Sequence, residues 1–165
     1  MAVSTSSLIG ANFSATGTTQ LFALGSRANG TDGSVWEYVQ ASGTFTTGWL
    51  VALTPTGTAN SFITANAILT AQGVDIGFAQ TTISRDEYGW VAKQGRSMYI
   101  LCTGTCTGGG AVGISAGGGR VENVGVVAVG HTLFGIYITT SASTATASVG
   151  VATLTWPRVV TTAGG

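Results

Sequence analysis

Short runs of β-branched and aromatic residues recur along this chain, each stopped by a turn rich in glycine, asparagine or aspartate. A strand favours stiff side chains and a tight turn needs positive φ, so this rhythm predicts strands joined by turns. No segment shows the three-to-four-residue apolar spacing of an amphipathic helix. The reading is an all-β single domain, a barrel or sandwich of about ten short, mostly antiparallel strands.

Taken in order, residues 1–18 are small and hydroxylated and read as an extended N-terminal arm. Residues 20–24 read as a strand, and the Asn-Gly and Asp-Gly pairs within 25–34 as turns. In 35–40 the two-residue period puts Trp36 and Tyr38 on one face and Val35 and Val39 on the other. Residues 44–53 form a further strand kinked at Gly48 and ended by Pro55 and Gly57. Residues 59–72 read as a short strand and a loop. A meander then covers 75–102, with strands at 75–80, from 82, at 88–92 and 97–102, a charged turn at Arg85, Asp86 and Glu87, and a second turn at Gln94, Gly95 and Arg96. Residues 103–119 are rich in glycine and read as loop with at most a short strand at 111–115. Residues 123–130 have no polar face and are expected to be buried on both sides. Strands follow at 133–139 and 149–156, separated by a polar loop at 141–148, and Pro157 is expected to stop the last one. The expected division is an arm at 1–18, a β domain at 19–157 and a tail at 158–165.

Charge narrows the function. Only 7% of the residues are charged, against about 25% in an average soluble domain. Six of the twelve, Asp75, Arg85, Asp86, Glu87, Lys93 and Arg96, fall between Gly73 and Cys102. Six basic residues balanced by six acidic ones leave no cationic footprint for nucleic acid. No apolar run has the length needed to span a bilayer. With 44% hydrophobic residues the chain has the material for a core. A surface this poor in charge suits either a secreted protein dressed in hydroxyls or a subunit covered by other subunits. The first ten residues do not read as a secretory signal.

Little here points to catalysis, cofactors or metals. The single histidine, His131, lies in a turn-like Val-Gly-His-Thr-Leu, and no Gly-x-Ser-x-Gly elbow accompanies it. One histidine, two cysteines and scattered acids make no tetrahedral metal set. Cys102 and Cys106 flank Thr-Gly-Thr, which leaves two readings: a disulfide across a three-residue turn, or a pair of free, partly buried thiols, favoured without a secretory signal. The Gly25-Ser-Arg-Ala-Asn-Gly and Gly108-Gly-Gly stretches lack the Gly-Lys-Ser ending of a phosphate loop. Arg85, Asp86 and Glu87 read as a solvated turn more readily than as a partner contact. Trp36, Trp49 and Trp90 are candidates for sugar stacking, but their alternation within strands favours core filling.

Two stretches, Leu24-Gly-Ser-Arg-Ala-Asn-Gly-Thr-Asp-Gly-Ser-Val-Trp-Glu-Tyr-Val-Gln-Ala-Ser and Val74-Asp-Ile-Gly-Phe-Ala-Gln through Tyr88-Gly-Trp-Val-Ala-Lys-Gln-Gly, resemble small structural proteins of tailed bacteriophages that decorate or cement the head. The resemblance covers the middle of the chain and rests on turn-and-strand patterns. It implies a virion protein, made in the host cytoplasm, that binds the assembled major capsid protein and copies of itself and stabilises the shell. It implies no enzyme, cofactor, membrane or small-molecule substrate. The arm and residues 103–119 are then the segments expected to order on neighbours. A head-fibre or tail component, or a secreted β-sandwich carbohydrate-binding module, are the alternatives.

Overall fold

The structure, a computed structural model, describes residues 11–54, 56–61, 75–109, 112–115, 119–123, 131–140 and 142–161. Among them no residue is helical, and ten strands form one mixed sheet. The strands are β1 (Arg27–Asn29), β2 (Val35–Ala41), β3 (Leu50–Leu53), β4 (Thr58–Ser61), β5 (Asp75–Ala79), β6 (Tyr88–Cys106), β7 (Val112–Ile114), β8 (Val121–Asn123), β9 (His131–Thr140) and β10 (Ala142–Thr161).

The pairings close two rings that share β6. In the first, β2 pairs with β4, β4 with β3, β3 with β5, β5 with β6, and β6 returns to β2. In the second, β6 pairs with β10, β10 with β9, β9 with β7, β7 with β8, and β8 returns to β6. Each ring contains one parallel pairing, β2 with β4 and β6 with β8. Closing a sheet on itself removes exposed strand edges, which would otherwise recruit other chains.

Alternation along the strands assigns two cores. Val39, Ala41, Val51, Leu53, Ala59, Ala79 and Val91 fill the smaller one, with Phe45 and Ile83 joined by an isolated bridge. The intervening residues, Tyr38, Leu50, Phe78 and Trp90, point into the larger core, which continues through Ile100, Cys102, Val121, Ile138 and Leu154. Phe13 stacks on Trp36 with ring centroids 4.7 Å apart and meets Trp90 edge-on at 5.4 Å. Of the expected arm, residues 1–10 lie outside the described residues. The described part packs on the sheet, with Phe13 and Ala11 buried and Gly17 exchanging backbone hydrogen bonds with Tyr88.

Several local expectations are corrected. Gln94, Gly95 and Arg96 do not form a turn. β6 runs on as one strand of 19 residues, and the register slip against β10 between Met98 and Gly95 leaves Arg96 and Ser97 as a bulge. Gly95 and Ser97 both have positive φ, so the strand bends without reversing. β6 also extends to Cys106, into the expected glycine loop. β10 covers both the expected polar loop at 141–148, from Ala142 onward, and the expected tail as far as Thr161. Pro157 does not stop it, because it sits in the register break between Leu154 and Arg158 where no ladder donor is required. Residues 20–24 form no strand. Their neighbours Gly25 and Ser26 bond the Tyr38 backbone, and the strand lies at Arg27–Asn29, inside the expected turn. The expected strand at 44–53 is regular only at Leu50–Leu53, and that from Thr82 is a single bridge at Ile83. The expected two-sided burial of 123–130 lies outside the described residues from 124 on.

Candidate functional site

The outer face of β6, β10 and β9 is the most unusual surface of the molecule. Register places Tyr99 opposite Val151, Leu101 opposite Val149 and Tyr137 opposite Thr153, so these six side chains share one side. The alternate residues, Ile100, Ala152, Leu154 and Ile138, are buried beneath them. A strand whose outer positions face water normally carries polar residues there. Here Tyr137 is 62%, Val149 49% and Tyr99 46% exposed, and no member of the six is charged. Six large apolar side chains are exposed among the described residues, and five lie on these strands, with Phe134 and Trp156 at the far end. That concentration, not the exposure of any one residue, makes the face a candidate interaction surface.

A second feature lies where β2, β5 and β6 meet. Glu37 alternates in phase with Val39 and Ala41, and Asp75 with Gly77 and Ala79, so both carboxylates stand at the end of the smaller core. Lys93, the bulged residue of β6 opposite β2, is 0% exposed, and its ammonium pairs with Asp75 Oδ1. Arg27 Nε donates to Glu37 Oε2 at 3.1 Å, and Arg27 Nη2 lies 3.5 Å from Asp75 Oδ2. The Trp156 ring lies 5.0 Å from the Arg27 guanidinium and 5.9 Å from Lys93 Nζ. Burial pulls the Lys93 pKa below its usual value; the pairing with Asp75 and the charge of Glu37 offset this in part.

A third feature is a cavity of about 420 Å³ between residues 12–22 and the aromatic side chains of Phe22, Tyr38, Tyr88 and Trp90. Tyr38 and Trp90 form its buried floor, and Tyr38 Oη accepts a hydrogen bond from Leu21 N. No ionisable acid or base lines it apart from the two tyrosines.

The residues singled out in the sequence fall mostly elsewhere. Trp36 and Trp90 are buried and fill the core, while Trp49 is half-buried against the smaller core. Arg85 and Asp86 are exposed and pair loosely with each other at 3.9 Å, and Glu87 caps its own turn by accepting from Ser84 N. Cys102 and Cys106 are free thiols on one strand, so no three-residue turn places them across a hairpin. Gly104, with φ 68°, bends β6 between them. The hydrogen bond with the neighbouring Cys106 sulfur, and burial, hold Cys102 protonated, and Cys106 Sγ donates to Val121 O at 3.6 Å. His131 opens β9, and its side chain lies outside the described residues. Among the described residues no three His, Cys, Asp or Glu side chains gather as a metal site, and no helix is long and apolar enough to cross a membrane. Reading the sequence missed the Lys93 cluster and the outer apolar face. The alternation of Tyr99 with Leu101, and of Val149 with Val151, was the available signal for the face. No protein-family profile matches the chain, and no curated protein sequence matches it.

Proposed function

We propose that this chain is a virion structural protein that binds the assembled capsid of a tailed bacteriophage and stabilises it as a decoration or cement protein. The observation that carries the reading is the uncharged, largely apolar patch of Tyr99, Leu101, Val149, Val151, Tyr137 and Thr153 on the outer side of β6, β10 and β9, with Arg158 at its far end opposite Phe134. Such a face can be covered by another protein without stranding charges, whose desolvation would cost more than the contact returns. Tyr137, Tyr99 and Trp156 are the side-chain types that anchor interfaces. The resemblance of residues 24–42 and 74–95 to head decoration proteins supplies the kind of partner, the major capsid protein, with further copies of this chain beside it. Many copies of a modest contact sum to a large stabilisation of a shell. The work asked of the protein is binding, and a rigid closed sheet is suited to it.

Co-sedimentation with assembled shells tests this. Val149→Lys and Tyr137→Glu each place a charge in the centre of the face and are expected to weaken binding at least about 30-fold, the equivalent of about 2 kcal/mol. Arg85→Glu, on the exposed turn, should leave binding unchanged. Undiminished binding by both face variants would remove the face from the account. The cavity under Phe22 and Tyr88 favours a second reading, a fibre or glycan-binding component, because aromatic walls with a rim of threonine hydroxyls suit a neutral sugar. Glycan binding lost on Tyr88→Ala would support that alternative.

A further inference from the structure

Lysine is almost never fully buried unless paired, and Lys93 is shut away at the end of a small apolar core. Its ammonium touches Asp75 Oδ1, and the Trp156 ring lies 5.9 Å from Nζ. The Asp75 side chain keeps 44% of its surface exposed, so it is the lysine ammonium that bears the desolvation in this ion pair. Beside the pair stands a second carboxylate, Glu37, itself buried. We propose that Lys93 and Asp75 are joined by an intramolecular amide bond between side chains, which the folded chain forms without another enzyme.

The condensation balances without oxidant or co-reactant. Burial favours the neutral form of the Lys93 amine, so one proton can move from Nζ to Asp75 Oδ1, which it touches. The free amine then attacks Asp75 Cγ, and negative charge gathers on Oδ2, where the Arg27 guanidinium already lies 3.5 Å away. Glu37 accepts a proton from the nitrogen as the carbon–nitrogen bond forms and returns it to the departing hydroxyl. The Nζ–Cγ bond has formed, the Cγ–Oδ1 bond has broken, and one water leaves. Lys93 and Asp75 lose their charges together, so the desolvation cost of the buried ammonium disappears. The bond would tie β5 to β6, strands that already pair through Phe78 with Ala92 and Ala79 with Val91.

Intact mass of the denatured full-length chain reads the bond directly. The expected result is a mass one water below that of the sequence, with digestion yielding a branched peptide that joins the segments containing Asp75 and Lys93. Lys93→Arg and Asp75→Ala should each restore the full mass. Glu37→Gln should slow appearance of the linked form about 100-fold in a time course after synthesis, the usual worth of general acid–base assistance. A wild-type chain that keeps its full mass after prolonged incubation, or a lost water mapped to any other position, overturns the proposal. Shell binding is a separate readout, so failure here leaves the proposed function standing, and the converse also holds.

Discussion

Asp32, Ser34 and Trp36 show how single side chains fix the start of β2. Ser34 donates to Asp32 Oδ1 through both its backbone N, at 3.0 Å, and its Oγ, at 2.6 Å, while Trp36 Nε1 donates to Ser34 Oγ at 2.7 Å. The buried indole N–H is thereby satisfied through a serine that also closes the turn. These hydrogen bonds, chiefly the Ser34 hydroxyl, lower the Asp32 pKa from 3.8. In the interval between the folded and unfolded values the unfolded chain binds the proton more tightly. The contribution of Asp32 is therefore full above the unfolded value and lost as the pH falls through the folded one. Asp32→Ala is expected to cost about 1 kcal/mol at neutral pH. Denaturant unfolding of both chains across a pH series should show the gap close in acid; a gap independent of pH would contradict the carboxylate's role. The Asp-Gly turn was legible in the sequence because its chemistry is local. The burial of Lys93 was not, because its partners Asp75 and Glu37 come from other strands and a lone lysine in a polar stretch looks solvated.

At the scale of elements, the segment before β3 stitches the two rings together. Gly48 N donates to Ala79 O and Leu101 N donates to Gly48 O, both at 2.7 Å, while Leu50 N donates to Gly119 O at 2.8 Å. Gly48 has φ 81°, and a Cβ there would lie 2.7 Å from Leu101 N and 2.8 Å from Ile100 C. Backbone against backbone cannot yield as a side chain can. Gly48→Ala should therefore cost about 3 kcal/mol, combining left-handed strain with overpacking. Gly33 has a similar φ of 79° but open space around it, so Gly33→Ala should cost only about 1 kcal/mol. Urea midpoints at unchanged m-value measure both, and equal costs would refute the close-approach argument. The kink at Gly48 could be read from the sequence, whereas the strand it clamps could not. The same limit explains β6 and β10. Gly95 with polar neighbours carries the same local signal for a bulge as for a turn, and only the partner strand crossing it decides. The all-β class and the alternation in β2 survived because they depend on periodicity, which needs no partner.

For the whole molecule, the division of charge is the organising fact. One end of the smaller core gathers Arg27, Glu37, Asp75 and Lys93, while the six central side chains of the outer face of β6, β10 and β9 carry none, and Arg158 stands at that face's far end. A surface of that kind is stable in water only at a cost in solubility, and a partner that covers it removes the cost. The proposed role on a capsid rests on this separation between a charge cluster, whose Glu37 and Lys93 are buried, and an uncharged docking patch. The sequence showed the scarcity of charge but not its arrangement, since arrangement depends on which strands pair. The most direct test is the copy number of this chain relative to the major coat protein in purified particles from its source, by quantitative mass spectrometry. The account predicts a ratio near one or a simple fraction set by shell symmetry. A handful of copies per particle, or none, would contradict it.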